Sequence, residues 1–238
     1  MDLFEIKLNN ETRLDVYRSV YTPVNSNMFI IIRGEEALII DPNINEEVID
    51  LLHKHNVNEV YILLSHEHYD HTSGVLWLQS LFDTKLICNR ICAEIVAQQK
   101  YNNPMLVALV LADKDKQDGG NRYAEFKKSF KPYTLKADKI YDTPCVFQLM
   151  GMTFKGSQTP GHSPGSWCLV VDDAFVITGD TLIKDTPVVI RFIESREQDY
   201  RNIAIPYLKS LNPELMVLPG HFDPFILKDN NILHTYNV

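Results

Sequence analysis

The sequence predicts an α/β protein, on three observations. Short apolar runs suited to strands alternate with segments of helical periodicity along the chain. Two pairs of those runs form look-alike hairpins, at 27–43 and 166–180. Four runs end in residues able to bind metal, as expected where strand ends open into loops at one sheet edge.

In chain order, "NMFIIIRGEEALIIDPN" (27–43) is an apolar run, a tight polar turn at Arg33–Glu36 and a second apolar run ending on Asp41. Its apolar residues barely alternate, so both strands are expected to be covered on both faces. "INEEVIDLLHKHN" places Ile44, Val48, Leu51, Leu52 and His55 on one helical face, with Asn45 as N-cap. "VYILL" reads as a buried strand leading into "SHEHYDH" (65–71), and "SGVLWLQSLF" (73–82) as a covered helix starting at Ser73.

The segment 93–137 differs. "EIVAQQ", "PMLVALVLAD" and "RYAEFKKSF" each predict a short helix, separated by "NNP" and "DGGN". About 45 residues make too small a core to stand alone, so this segment is expected to be a helical insertion in a single domain spanning 1–238. "SWCLVVDDAFVITGD" (166–180) repeats the hairpin plan, turning at Asp172–Asp173 and ending on Asp180. A last helix at 196–210 contains Pro206, which should kink it or end its first part.

Composition excludes several function classes. The 238 residues are 45% hydrophobic and 23% charged, as in ordinary globular proteins. With 23 basic and 31 acidic residues the net charge is −8, against broad binding to long nucleic acid or an anionic membrane. No apolar stretch approaches the ~20 residues of a membrane span. "MDLFEIKLNN" lacks a basic start followed by an apolar core, so no secretion leader is expected. Four cysteines are too few for a disulfide scaffold and are expected to be reduced thiols in the cytoplasm, Cys88 and Cys92 as small buried hydrophobes. The window 121–140 carries six basic and two acidic residues, either a solvated helix face or a means of drawing in an anionic substrate.

The four metal-capable points gather five of the eight histidines, His66, His68, His71, His162 and His221, together with Asp70 and Asp180. Imidazole and carboxylate suit zinc, and also iron or manganese. His66 and His68, two apart in an extended loop, can point the same way, while Asp70 and His71 turn toward a neighbouring position. Seven ligands exceed what one tetrahedral ion takes but suit two divalent ions sharing a carboxylate, an arrangement able to clamp a hydroxide. His53, His55 and His234 match no motif and are expected on helix faces or the surface.

H-x-H-x-D-H after a hydrophobic strand, then "TPGHSPGS", "TGDTL" and "LPGH" in this order, resembles the metallo-β-lactamase-fold hydrolase superfamily. The resemblance runs from "NSNMFIII" at residue 25 to "PGHFDPF" near the end. It implies a four-layer αββα sandwich of two mixed β-sheets flanked by helices, with the metal site along one edge. Carried over by position, it implies His66, His68 and His162 on a first metal, and Asp70, His71 and His221 on a second. Asp180 would bridge them, and Asp41 would support the site rather than bind metal. The superfamily's β-lactamases usually lack the bridging aspartate and are exported, and its flavin-linked diiron branch usually has Glu where this chain has His68. A chain with both Asp70 and Asp180 looks like the thioesterases similar to glyoxalase II, the lactonases and several phosphodiesterases.

The expectation is therefore a dinuclear metal-dependent hydrolase of the cytoplasm, with Asp70 and Asp180 in the reacting positions. A metal-bridging hydroxide would attack a small-molecule ester, thioester or lactone, with zinc ahead of iron or manganese. The alternatives are phosphodiester cleavage of a small cyclic nucleotide, a mononuclear iron enzyme of the sulfur-dioxygenase type, and metal binding without turnover. Tyr69 within the motif, and Arg191 and Phe192 after the Asp180 loop, are candidates for contact with substrate. Nothing in the sequence indicates an oligomeric state.

Overall fold

A computed structural model of the chain describes residues 1–8, 12–99, 104–190 and 195–235. Arg191 and Phe192 lie outside the described residues, as does the side chain of His234. The first sheet follows chain order: β1 (Asp2–Lys7), β2 (Arg13–Tyr21), β3 (Ser26–Arg33), β4 (Glu36–Ile40), β5 (Glu59–Leu63), β6 (Thr84–Asn89) and β7 (Lys139–Tyr141). β1 to β4 pair antiparallel through short connections. From β4 onward the pairing is parallel, because each connection now contains helix and returns to the starting end of the sheet. Those helices are α1 (Glu47–Lys54), α2 (Tyr69–Thr72), α3 (Val75–Gln79), α4 (Arg90–Val96), α5 (Met105–Asp118) and α6 (Arg122–Ser129).

The second sheet contains β8 (Cys145–Leu149), β9 (Met152–Gln158), β10 (Trp167–Val171), β11 (Phe175–Gly179), β12 (Met216–Pro219) and β13 (Phe225–Ile226), in the order β13-β12-β11-β10-β9-β8. Only β11 and β12 are parallel within it, and the helical stretch containing α7 (Glu197–Asp199) and α8 (Ile205–Ser210) joins them. A short α9 (Asn231–Thr235) follows.

Neighbouring residues on the central strands serve different layers. Ile31 and Ile40 pack between the sheets against Phe154, Trp167 and Phe175. Ile30 and Ile39 pack outward against Val48 and Leu52 of α1, Val75 of α3 and Val96 of α4. On the other side, Cys168, Val170 and Val176 meet Tyr200, Ala204, Ile205 and Leu208. Successive side chains of a strand point to opposite faces, and here both faces are covered, which is why the apolar runs do not alternate. The result is the four-layer arrangement expected, two mixed sheets flanked by helices. Trp167 ties the sheets together, its Nε1–H donating to the Leu64 carbonyl at 2.7 Å in the interior.

The hairpins form as read, the second turning at Asp172 and Asp173 with φ of 48° and 52°. Helix boundaries shift. Ile44 is 60% exposed and precedes α1, whose first N–H, at Glu47, donates to the Asn45 side chain at 3.0 Å. Ser73 closes α2 rather than opening α3. α4 starts earlier than 94 because the Asn89 side chain accepts the Cys92 N–H at 2.9 Å and caps the helix there. α5 runs past 113 to Gly119, which closes it at φ 75°. Before Pro206 the helix widens into a π segment, Tyr200–Ala204. Proline has no N–H for the carbonyl four residues back, so the register changes there. β1 and β2 are additional to the elements read from sequence, since their half-polar patterns bury only a few residues, Ile6 in β1 and Leu14, Val16 and Ser19 in β2.

Candidate metal centre

Four strands deliver the site at one edge of the two sheets. β5 runs into His66, His68, Asp70 and His71; β9 into His162; β11 into Asp180; β12 into His221. All seven side chains converge, and all but His68 and His221 belong to fully buried residues.

His66 Nε2 lies 3.2 Å from His68 Nδ1, which lies 2.9 Å from His162 Nε2. Ligands at ~2.0–2.1 Å from a tetrahedral ion would stand about 3.3 Å apart, so this trio has nearly the edge length of such a site. Around the second position, Asp70 Oδ2 is 3.5 Å from His71 Nε2 and 3.4 Å from His221 Nε2. Asp180 reaches both groups: its Oδ2 is 3.4 Å from His162 Nε2 and 3.2 Å from His221 Nε2, and its Oδ1 is 3.4 Å from His71 Nε2.

The far sides of the rings explain their orientation. His162 Nδ1 donates to the Val189 carbonyl at 2.9 Å and His221 Nδ1 to the Val24 carbonyl at 3.0 Å, leaving each Nε2 lone pair facing the centre. Ser65 Oγ gives its only proton to Asp41 Oδ2 at 2.5 Å, so at 3.0 Å it accepts from His66 Nδ1. Asp41 Oδ1 accepts the Ser65 N–H at 2.7 Å, and its Oδ2 stands 3.2 Å behind His71, on the Nδ1 side. Asp41 therefore stands behind His66 and His71, although one grouping of His66, His71 and Asp41 is also tight enough to hold an ion. The Nε2 of His71 faces Asp70 and Asp180 instead.

Two glycines make the approach possible. A Cβ on Gly220 would collide with Asp180 Oδ1 and stand 2.9 Å from His71 Cε1. Gly179, at φ 49°, turns the chain into Asp180 beside the Ser65 hydroxyl, where a side chain would also collide.

The electrostatics divide the site. Burial holds His66 and His162 below the usual imidazole range and pushes His68 down to about 3, so the trio is neutral. Burial acts likewise on His71 and His221 but is outweighed by the Asp70 and Asp180 carboxylates, which raise them to about 9 and about 11. Asp70, opposed by burial, is drawn down to about 2 by His71 and His221. Asp180 is held well below the carboxylate range by the same two rings and His162. Asp70 Oδ2, Asp180 Oδ1 and His71 Nε2 are buried without a hydrogen-bond partner among the described residues. Unpaired buried carboxylate oxygens are costly, and a divalent cation would satisfy them while displacing the protons that these carboxylates otherwise hold on His71 and His221. The residues present fit a metal.

Some contributors carry no signal that the motif reading used. Glu67, inside the motif and 5% exposed, accepts from Ser163 Oγ at 3.1 Å and from the Gly165 N–H at 3.3 Å, fastening the His66 loop to the His162 loop. Asn27 donates to the Pro219 and Phe222 carbonyls at 2.9 and 2.6 Å, and Arg18 to the Phe222 carbonyl at 3.1 Å, bracketing His221. A charged residue within a buried motif is the one hint the sequence offers for Glu67. Tyr69 is half-buried against the Phe126 and Phe130 rings, at 5.7 and 5.6 Å, so the end of α6 packs on the α2 side of the site. His53 and His55 sit on and just after α1, against Phe82 and Tyr17, outside the centre. Among the described residues no helix is long and apolar enough to cross a membrane.

Comparisons with known proteins find relatives over most of the chain. The family model described as the metallo-beta-lactamase superfamily matches residues 21–221. A probable metallo-hydrolase of Streptococcus pyogenes is 24% identical over 88% of this chain and 81% of its own length. A hydroxyacylglutathione hydrolase of Glaesserella parasuis is 26% identical over 67% of this chain, which spans 52% of that enzyme. Among solved structures, the B3 metallo-beta-lactamase BLEG-1 superposes with a TM-score of 0.67 at 20% identity, covering 98% of this chain and 99% of its own.

Proposed function

The chain belongs to the metallo-β-lactamase superfamily of metal-dependent hydrolases, and on that premise we propose that it is a dinuclear acyl hydrolase acting on a small-molecule thioester, ester or lactone. The observation that carries this reading is the position of Asp180, one carboxylate within 3.4 Å of nitrogens from both histidine groups. His66, His68 and His162 would hold one ion, Asp70, His71 and His221 the other, with Asp180 shared. When bound, divalent metal supplies a Lewis acid for the carbonyl and activates water at neutral pH.

The chain's own groups prepare the rest. Asp70 Oδ2 and Asp180 Oδ1, buried side by side at the centre, are assigned the positions next to the attacking water. Water adds to the acyl carbon, the carbonyl–sulfur or carbonyl–oxygen bond breaks, and the proton passes to the leaving thiol or alcohol. Asp41 and Ser65 keep His71 and His66 turned inward throughout. Zinc suits the nitrogen and oxygen donors, with iron and manganese next. The four free thiols, three of them buried, suit a reducing compartment, and we assign the activity to the cytoplasm.

The test is a rate panel on metal-analysed protein beside Asp180→Asn, using a glutathione thioester, a lactone, an aryl ester and an aryl phosphodiester. Turnover of the thioester or lactone, lost in the variant, is the expected result. Turnover confined to the phosphodiester would refute the acyl assignment.

A further inference from the structure

The two groups of ligands are held by different parts of the chain. Asp70 and His221 rest on β3 and the turn before it. The Val24 carbonyl accepts from His221 Nδ1 at 3.0 Å, and Ser26 Oγ donates to the Asp70 carbonyl at 3.3 Å. Asn27 takes the Pro219 and Phe222 carbonyls on either side of His221.

His66, His68 and His162 depend on a separate set of bonds. His66 and His68 both face the centre, and Glu67 between them reaches instead into the chain that follows His162. One of its oxygens accepts from Ser163 Oγ at 3.1 Å and the other from the Gly165 N–H at 3.3 Å. The Gly165 carbonyl is fixed in turn by the Asn89 amide at 2.7 Å, and Ser163 Oγ stands 2.8 Å from Ser166 Oγ. A Cβ on Gly165 would collide with Glu67 Oε2 and lie 2.9 Å from Cys92 Cα, so the approach requires glycine. Burying a carboxyl group is costly unless its oxygens are hydrogen-bonded, and here the loop that carries His162 engages both. The bonds join residues 96 and 98 apart in sequence, from the edge of one sheet to the edge of the other. The 2.9 Å spacing of His68 Nδ1 and His162 Nε2 is set across the same gap.

We propose that Glu67 is a positioning residue for one ion only. It fixes the spacing of His66, His68 and His162, and leaves the group of Asp70, His71 and His221 to its own supports. This rests on the two-ion reading above. Without the bridge the His162 loop can draw back from the first two histidines, while Val24, Ser26 and Asn27 still hold His221 and Asp70.

Zinc competition with a chromogenic chelator tests this without turnover, in two backgrounds. His221→Ala keeps the three-histidine group whole, and His68→Ala keeps the other. In His221→Ala, adding Glu67→Ala is expected to weaken zinc binding about 10- to 100-fold, the scale set by outer hydrogen-bond partners of metal ligands. In His68→Ala the same change should cost less than about threefold, as for independent sites. Glu67→Gln can remake both bonds, its oxygen accepting from Gly165 and its amide donating to Ser163, and should stay within about threefold of its parent. Ser163→Ala removes one bond without adding bulk. It should lose about tenfold in the His221→Ala background, and it decides the matter should Glu67→Ala fail to fold. Equal loss in the two backgrounds, or none in His221→Ala, would overturn the proposal. So would a Glu67→Gln variant as weak as Glu67→Ala, which would make charge rather than spacing the cause. Wild-type protein that binds a single zinc, weakened by Glu67→Ala, would count against the dinuclear reading and leave the role of Glu67 standing.

Discussion

Gly220 sets the clearance on which the centre depends. Because a Cβ there would displace Asp180 Oδ1 and crowd His71, Gly220→Ala is expected to lower kcat/KM about 100-fold, the scale of a misplacement of roughly 1 Å. The protein should otherwise keep its circular dichroism spectrum, and unchanged kinetics would show that Asp180 is not held where it matters. Asp41 acts at one remove. Asp41→Asn puts an amide where Oδ1 and Oδ2 accept from Ser65, and where Oδ2 faces His71. Metal affinity, read by competition with a chromogenic chelator, should fall about 10- to 100-fold; wild-type affinity would remove Asp41 from the site. The seven converging residues were legible in the sequence because each closes an apolar run within a short motif. Glu67, Asn27 and Arg18 were not, because their partners at Ser163, Pro219 and Phe222 lie far away in sequence.

Among the elements, α4 shows how a single side chain serves both helix and site. Asn89 caps the helix through its oxygen, and its amide nitrogen donates to the Gly165 carbonyl at 2.7 Å, beside the Glu67 contact. Asn89→Ala removes the cap and leaves a buried carbonyl unpaired, together about 2–3 kcal/mol. The expected fall in melting temperature is roughly 5–10 °C, and a fall under about 2 °C would mean that water replaces both bonds. The same helix shows why boundaries were the least legible part of the fold. Its start follows from the capping geometry of Asn89, whereas the apolar pattern points to residue 94. The hairpins were legible because turn residues and two-sided burial act within a few residues of one another. The π segment before Pro206 was only half legible: proline predicts a disturbance but not whether the helix breaks, bends or widens.

In the molecule as a whole, the metal centre lies at the edge of a core that does not depend on it. The inner layer between the sheets is apolar throughout, from Phe29 and Ile31 to Trp167 and Phe175. Removing metal should therefore leave the protein folded at 25 °C while stripping the stabilisation that a ligand of the native state confers. At metal 100-fold above its dissociation constant that contribution is about 2.7 kcal/mol, so chelation is expected to lower the melting temperature by roughly 5–10 °C. An unchanged melting temperature would mean that no tight metal site exists. The measurement that tests the central claim most directly is the number of zinc ions bound per chain, by elemental analysis after titration, in the wild type and in Asp180→Asn. Two ions in the wild type and one or none in the variant is the result predicted by a carboxylate shared between two histidine groups. One ion in both proteins, or two retained equally without Asp180, would contradict it.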